Sequence, residues 1–289
     1  MNPKTTTRIA ALSIVAIHLL ASEHAHAASV VRAFGGDFTP ASITPARDQF
    51  RNDIGGGTAP GAGPGQFGTQ RREINWDGVT APFSAPNNLP ANFFNVNSPR
   101  GVVFATPGTG FEVSGNTADG GVGQPAAANF GNINATYTAA FTTFSAQRLF
   151  TAIGSNITDV TFFVPGTNTV ATISGFGAVF TDVETLGGTT LQFFTPASVS
   201  LGIFTVPVGS VNQSLSFLGV SFNAGELVGR VRITSGNAAL GAAVNDNPGG
   251  GTDLVVMDDF IFSEPVPEPT SLLLCASGFA GCLLRRKRN

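Results

Sequence analysis

The sequence predicts an all-β chain folded as an antiparallel β-sandwich, and three observations carry that prediction. Phe (25 residues), Gly (36) and Pro (18) are abundant while only 11% of residues are charged, the composition of short aromatic and β-branched strands cut by turns. Strand-like segments recur at intervals of roughly ten residues from Gly101 onward, the rhythm of a sandwich or barrel. The chain between the two end segments, residues 28–264, has no cysteine, and a domain of that length buries a large core without disulfides.

The elements follow in order. Lys4 and Arg8 open a basic segment, Ile9–Ala21 is apolar, and Ala25-His26-Ala27 supplies an A-x-A cleavage site before Ala28, the three parts of a secretory signal peptide. Residues 1–27 are therefore expected to direct Sec export, and 28–264 to form the mature body. Within 28–100 the pattern is less regular. One short helix is expected, with Thr44 as cap, Pro45 at its first position, Phe50 and Ile54 on its apolar face and Gly55 as stop. GGGTAPGAGPGQFG (55–68) is a loop without the lysine a phosphate site needs. RREINWDGV (71–79) alternates into a strand that ends at Asp77-Gly78 and carries the single tryptophan, Trp76. Its side chain is expected in the core rather than at the surface.

From 101 to 264 the expected strands are VVFAT, GFEVS, ATYTAAFTTF, RLFTAI, TDVTFFVP, ATISGFGAVFTDV, TTLQFFTP, VSLGIFTVP, QSLSFLGVSF, GRVRITSG and DLVVMDDFIF, each bounded by Gly, Pro, Asn or Asp. Two sheets would bury their Phe and Val faces against one another.

Composition also excludes. Residues 28–269 hold nine arginines, no lysine and seventeen acids, a net charge of −8. Nucleic-acid binding draws on Lys and Arg to neutralise phosphates, so DNA and RNA are not expected partners. His18, His24 and His26 all fall in the signal peptide, and Cys275 and Cys282 in the C-terminal segment. A body without His, Cys or Lys cannot assemble a Ser-His-Asp triad, a Cys-His pair, a His/Cys zinc site or a Schiff base. Chemistry by paired carboxylates or an oxygen-ligated cation is what remains. Glu73, Asp77, Glu112, Glu184 and Glu226 are available for a glycosidase pair, but no spacing selects two of them. A non-catalytic protein is the expectation.

Candidate ligand residues gather near one loop. NDNPGGGTD (245–253) offers Asp246, Asn247 and Asp253, with Asp258 and Asp259 just beyond. These oxygens suit calcium; a solvated turn rich in turn-formers is the competing reading. On a regular strand Asp258 and Asp259 would point to opposite faces. A buried carboxylate needs a partner, and Arg230 or Arg232 on the preceding strand is expected to supply one, as an alternative to a metal.

The C-terminal end reads VPEPTSLLLCASGFAGCLLRRKRN. Val266-Pro267-Glu268-Pro269 is followed by fourteen uncharged residues, Ser271–Leu284, and by Arg285, Arg286, Lys287 and Arg288. As a helix those fourteen span about 21 Å, short of the roughly 30 Å hydrocarbon core, and the basic block favours the cytoplasmic side. This order of parts closely resembles the PEP-CTERM sorting signal of Gram-negative bacteria. The resemblance implies recognition and processing by an exosortase, membrane contact through a short transmembrane helix before processing, and delivery to the cell surface or an exopolysaccharide-rich biofilm matrix. An ordinary permanent membrane anchor is the competing reading of residues 265–289. The run from TDVTFFV to VVMDDFIF further resembles the jelly-roll sandwiches of exported PEP-CTERM and carbohydrate-binding-like domains, which implies a jelly-roll-like body with exopolysaccharide as a partner.

Overall fold

The structure, a computed structural model, describes residues 28–57, 61–65, 68, 70–116 and 127–268. The helices expected in the signal peptide and the sorting tail lie outside these residues, as do Ala25, Ala27, Pro269, Arg285, Arg286, Lys287 and Arg288. No helix among the described residues is long and apolar enough to cross a membrane.

Among the described residues, fourteen strands and two short α-helices run β1 Ser29–Gly35, α1 Pro40–Asp53, β2 Arg71–Ile74, α2 Phe93–Val96, β3 Val102–Ala105, β4 Gly110–Val113, β5 Phe150–Ile153, β6 Ile157–Phe162, β7 Ala171–Thr172, β8 Gly175–Thr181, β9 Thr190–Phe194, β10 Ser200–Thr205, β11 Leu215–Phe222, β12 Arg230–Thr234, β13 Val256–Ser263 and β14 Val266–Pro267. One sheet has the order β1-β11-β8-β13-β5-β4, with β2 also paired to β13; the other has the order β10-β9-β12-β6-β3. All strand pairs are antiparallel. The fold is an all-β sandwich, as the composition predicts.

The core lies between the sheets. Phe104 meets Phe150 (ring centroids 5.0 Å apart), Phe162 meets Phe262 (5.9 Å) and Phe193 meets Phe222 (5.3 Å), each pair spanning the two sheets. Trp76 is 1% exposed and stacks flat on Phe150 at 4.1 Å. Its indole Nε1 donates to the Asp258 carbonyl at 2.8 Å, so the one polar atom of the ring is satisfied inside.

The outer face of the larger sheet is covered by α1, where Phe50, Ile43 and Ile54 pack on Val179, Phe217 and Ile261. Glycine makes this fit possible. A Cβ on Gly219 would stand 2.5 Å from the Phe50 ring, and one on Gly177 would stand 2.9 Å from it. The apolar face is the one expected, but the helix begins one turn earlier. Thr39 is the cap, Pro40 takes the first turn, and Pro45 lies inside the helix. Asp37 explains the earlier start: its Oδ1 accepts from the Thr39 N–H at 2.7 Å, turning the chain before the helix.

Two other expectations are corrected. RREINWDGV is a strand only as far as Ile74, because Trp76 takes a left-handed φ of 65° that swings its ring into the core. ATYTAAFTTF is not a strand; Ala135–Ala139 is a 3₁₀ turn capped by Asn134, whose side chain accepts from Thr136 N–H. Tyr137 is drawn inward by hydrogen bonds from its hydroxyl to the carbonyls of Gly241 (3.0 Å) and Val244 (2.7 Å), and that tertiary pull overrides β propensity.

Candidate functional site

Apart from the buried Glu112 on β4 and the ion-paired Glu264, acids cluster in two places among the described residues, and the sequence links them only in part. The first is β13. Its ladder with β8 shifts register between Met257 and Phe260, so that Asp258 and Asp259 together oppose the single residue Val179. This is a β-bulge. It breaks the alternation expected from the sequence, because Met257 and Phe260 both enter the central core and the two acids need not straddle the sheet. Asp258 Oδ2 accepts from Phe144 N–H at 2.6 Å and its Oδ1 accepts from Ser145 Oγ at 3.0 Å. Burial, followed by the neighbouring Asp259 charge, holds the Asp258 pKa well above the usual carboxylate range. Burial also raises Asp259. Asp77, whose Oδ1 accepts from Arg148 N–H at 3.2 Å, is pushed up to about 6, chiefly by burial.

Neither Arg230 nor Arg232 pairs with these acids. β12 lies in the other sheet, where Arg230 and Arg232 both reach Asp159 on β6, at 2.9 and 2.7 Å. The chain changes sheets between β12 and β13, so these two neighbours in sequence are not neighbours in space.

The second place is the end of β8 and the loop before β13. The carboxylates of Asp182, Glu184 and Asp246 each present an oxygen within 4.8 Å of the others. Asp182 and Glu184 lie just past the end of β8, two residues apart. Asp182 adopts a left-handed φ of 69° and is fully buried. Its Oδ1 accepts from Gln213 N–H at 2.8 Å, while its Oδ2 is closed off from solvent and has no partner. Glu184 Oε2 is likewise sequestered without a donor. Asp246 crosses from the loop and accepts from Leu254 N–H at 2.9 Å. Asp253 lies behind them, its Oδ2 accepting from Thr185 N–H at 2.9 Å and its Oδ1 from Glu184 N–H at 3.4 Å. It fixes the turn that carries Glu184.

Electrostatics here are one-sided. Burial, with the Glu184, Asp246 and Asp253 charges added, pushes Asp182 up to about 8. Burial, then the Asp246 charge, pushes Glu184 up to about 7. Burial raises Asp253 against the pull of its hydrogen bonds. Among the described residues none of the four acids forms an ion pair; the ion-paired arginines bind Asp53, Asp48, Glu73, Glu264 and Asp159 instead.

Of the residues singled out in the sequence, then, Asp246 and Asp253 meet at one site. Asn247 does not join it: its side chain is exposed and accepts from Gly250 N–H, capping its own turn. Asp258 and Asp259 belong to the separate bulge. Asp182 and Glu184 complete the site from 62 or more residues earlier in the chain. The signal that points to them is two acids at i and i+2 closing the apolar strand GFGAVFT in a body with no lysine.

The sandwich hands the chain on to its tail through Glu264. Arg72 and Glu264, both buried, pair through two bonds of 2.7 and 2.9 Å. Val266 and Pro267 then add a two-residue strand against β7, and both are exposed with Glu268 beyond them.

Comparison with known families agrees with the tail. Residues 265–288 match the PEP-CTERM protein-sorting motif. The chain is therefore an all-β sandwich carrying a sorting motif that marks an exported, exosortase-targeted surface protein. No curated protein and no solved structure matches it.

Proposed function

We propose that this is a non-catalytic protein of the cell surface or extracellular matrix, delivered by its signal peptide and sorting tail and retained there by contact with exopolysaccharide. The observation that carries the reading is the matched motif at 265–288, which begins directly after the buried Glu264 and turns exposed at Val266. The body is a filled sandwich, and its tryptophan and tyrosine are both buried, which supports a structural or adhesive role over a cleft enzyme. A polysaccharide-acting enzyme needs two carboxylates facing a cleft; Asp182, Asp253 and Asp258 are fully buried, which counts against such a pair. During transit the short apolar segment contacts the inner membrane.

The test is carried out in the producing bacterium with the full-length chain. Substituting Pro267, Glu268 and Pro269 by Ala is expected to leave the protein in the membrane fraction at its unprocessed intact mass. The native chain is expected in the surface or matrix fraction, lighter by a C-terminal segment. Equal masses and distributions would overturn delivery by the tail. Native chain with an uncut tail at the surface would favour a permanent anchor. Failure of the delivered protein to co-sediment with the producer's exopolysaccharide would remove the glycan contact.

A further inference from the structure

We propose that Asp182, Glu184 and Asp246 bind a single calcium ion, with Asp253 positioning the turn that presents Glu184. The proposal concerns the folded body and does not depend on where the protein is delivered.

Three independent features point to a cation. The first is geometry. Oxygens bound to calcium at about 2.3–2.6 Å cannot lie farther apart than roughly 5 Å, and the three carboxylates supply oxygens all within 4.8 Å of one another. The second is an unmet demand. Asp182 is fully buried with Oδ2 unpartnered, and an orphaned buried carboxylate oxygen is costly unless a charge or donor meets it. The third is the lack of any competing cation: among the described residues none of these acids has an arginine partner. Each carboxylate also has its second oxygen or its backbone fixed. Gln213 N–H holds Asp182, and Leu254 N–H holds Asp246, so the ligands are preorganised.

The donor set is entirely hard oxygen, which selects calcium or magnesium over softer metals. Three carboxylates leave calcium short of its six to eight oxygens. A hollow of about 300 Å³ beside Asp246, lined by Thr136, Ala140, Asn212 and Asn245, opens toward solvent and admits the remaining waters.

The test is calorimetric titration of the full-length chain, stripped by chelation, with calcium chloride. One ion per chain is expected. At calcium about 100-fold above Kd, the folded-to-unfolded ratio should rise about 100-fold, a shift in Tm of roughly 5–10 °C for a body of this size, reversed by chelator. Asp182→Asn and Glu184→Gln should abolish binding, while Asp159→Asn, at the arginine pair in the other sheet, should keep it. No heat and no shift at 10-fold molar excess in the millimolar range overturns the proposal, as does a response that survives in both site variants. Should Asp182→Asn fail to fold, Glu184→Gln, whose side chain is half-buried, decides together with the native titration.

Discussion

Asp258 and Asp182 are both fully buried aspartates and solve opposite problems. At the bulge, Asp258 is enclosed by donors: Phe144 N–H at 2.6 Å, Ser145 Oγ at 3.0 Å, and the Trp76 indole on its carbonyl. At the end of β8, Asp182 has one donor, an unpartnered oxygen and three acidic neighbours. Burial alone does not distinguish structural acids from ligand acids, since both are fully buried. What distinguishes them is whether the protein itself supplies the donors.

The comparison can be broken most severely at the bulge. Asp258→Ala leaves the buried Phe144 N–H without its acceptor, at a cost of about 1–3 kcal/mol, while Ser145 Oγ keeps the Asn75 carbonyl at 3.2 Å. A loss of roughly 1–3 kcal/mol is expected in the unfolding free energy measured with urea, the same with calcium or with chelator. A loss that depended on calcium would mean the two groups are not separate.

A smaller effect comes from pH. Asp182 and Glu184 have folded-state pKa values of about 8 and about 7, above the ordinary value near 4 in the unfolded chain. Between these limits the folded state holds protons that the unfolded chain has released, so the calcium-free protein should lose stability as pH rises from about 4 to about 8, then level off. Asp77, Asp258 and Asp259 add slopes of the same sign. Asp182→Asn should flatten the upper part of the profile, and saturating calcium should flatten it in the native chain. Thermal unfolding across this range measures both; an unchanged slope between pH 6 and 8 in Asp182→Asn would show that its carboxyl does not titrate there.

The smallest effect sharpens the boundary of the site. Asn247→Ala removes a cap from a three-residue turn and should cost about 0.5–1 kcal/mol, with calcium binding untouched. Loss of binding in that variant would return Asn247 to the ligand set.

The sequence made the sandwich legible because apolar strand segments recur with a regular rhythm between turn residues: GFGAVFT and FLGVSF are buried at every position, and both became interior strands. Half of the acid site was legible for a similar reason, since Asp246 and Asp253 cluster in one visible loop. Asp182 and Glu184 were not, because their relation to that loop exists only once β8 and β13 lie side by side. The bulge was hidden by the rule that made the strands readable. Alternation assigns Asp258 and Asp259 to opposite faces, and only the ladder with β8 reveals two residues opposing one. Tyr137 was misjudged for a third reason, as its long-range hydrogen bonds to residues 241 and 244 outweigh the local preference of its segment.

The way the chain leaves the sandwich has a mechanical consequence. The sorting motif continues from β13, an interior strand bonded to β8, β5 and β2, rather than from an edge. A pull on residue 268 first peels the two-residue pairing of β14 with β7, then meets the Arg72–Glu264 clamp. Beyond that it loads β13 along its own axis, across hydrogen bonds that run perpendicular to the strand. Such bonds share a tensile load and give way together, whereas an edge strand would unzip one bond at a time. A body tethered by this end is held from its stiffest line.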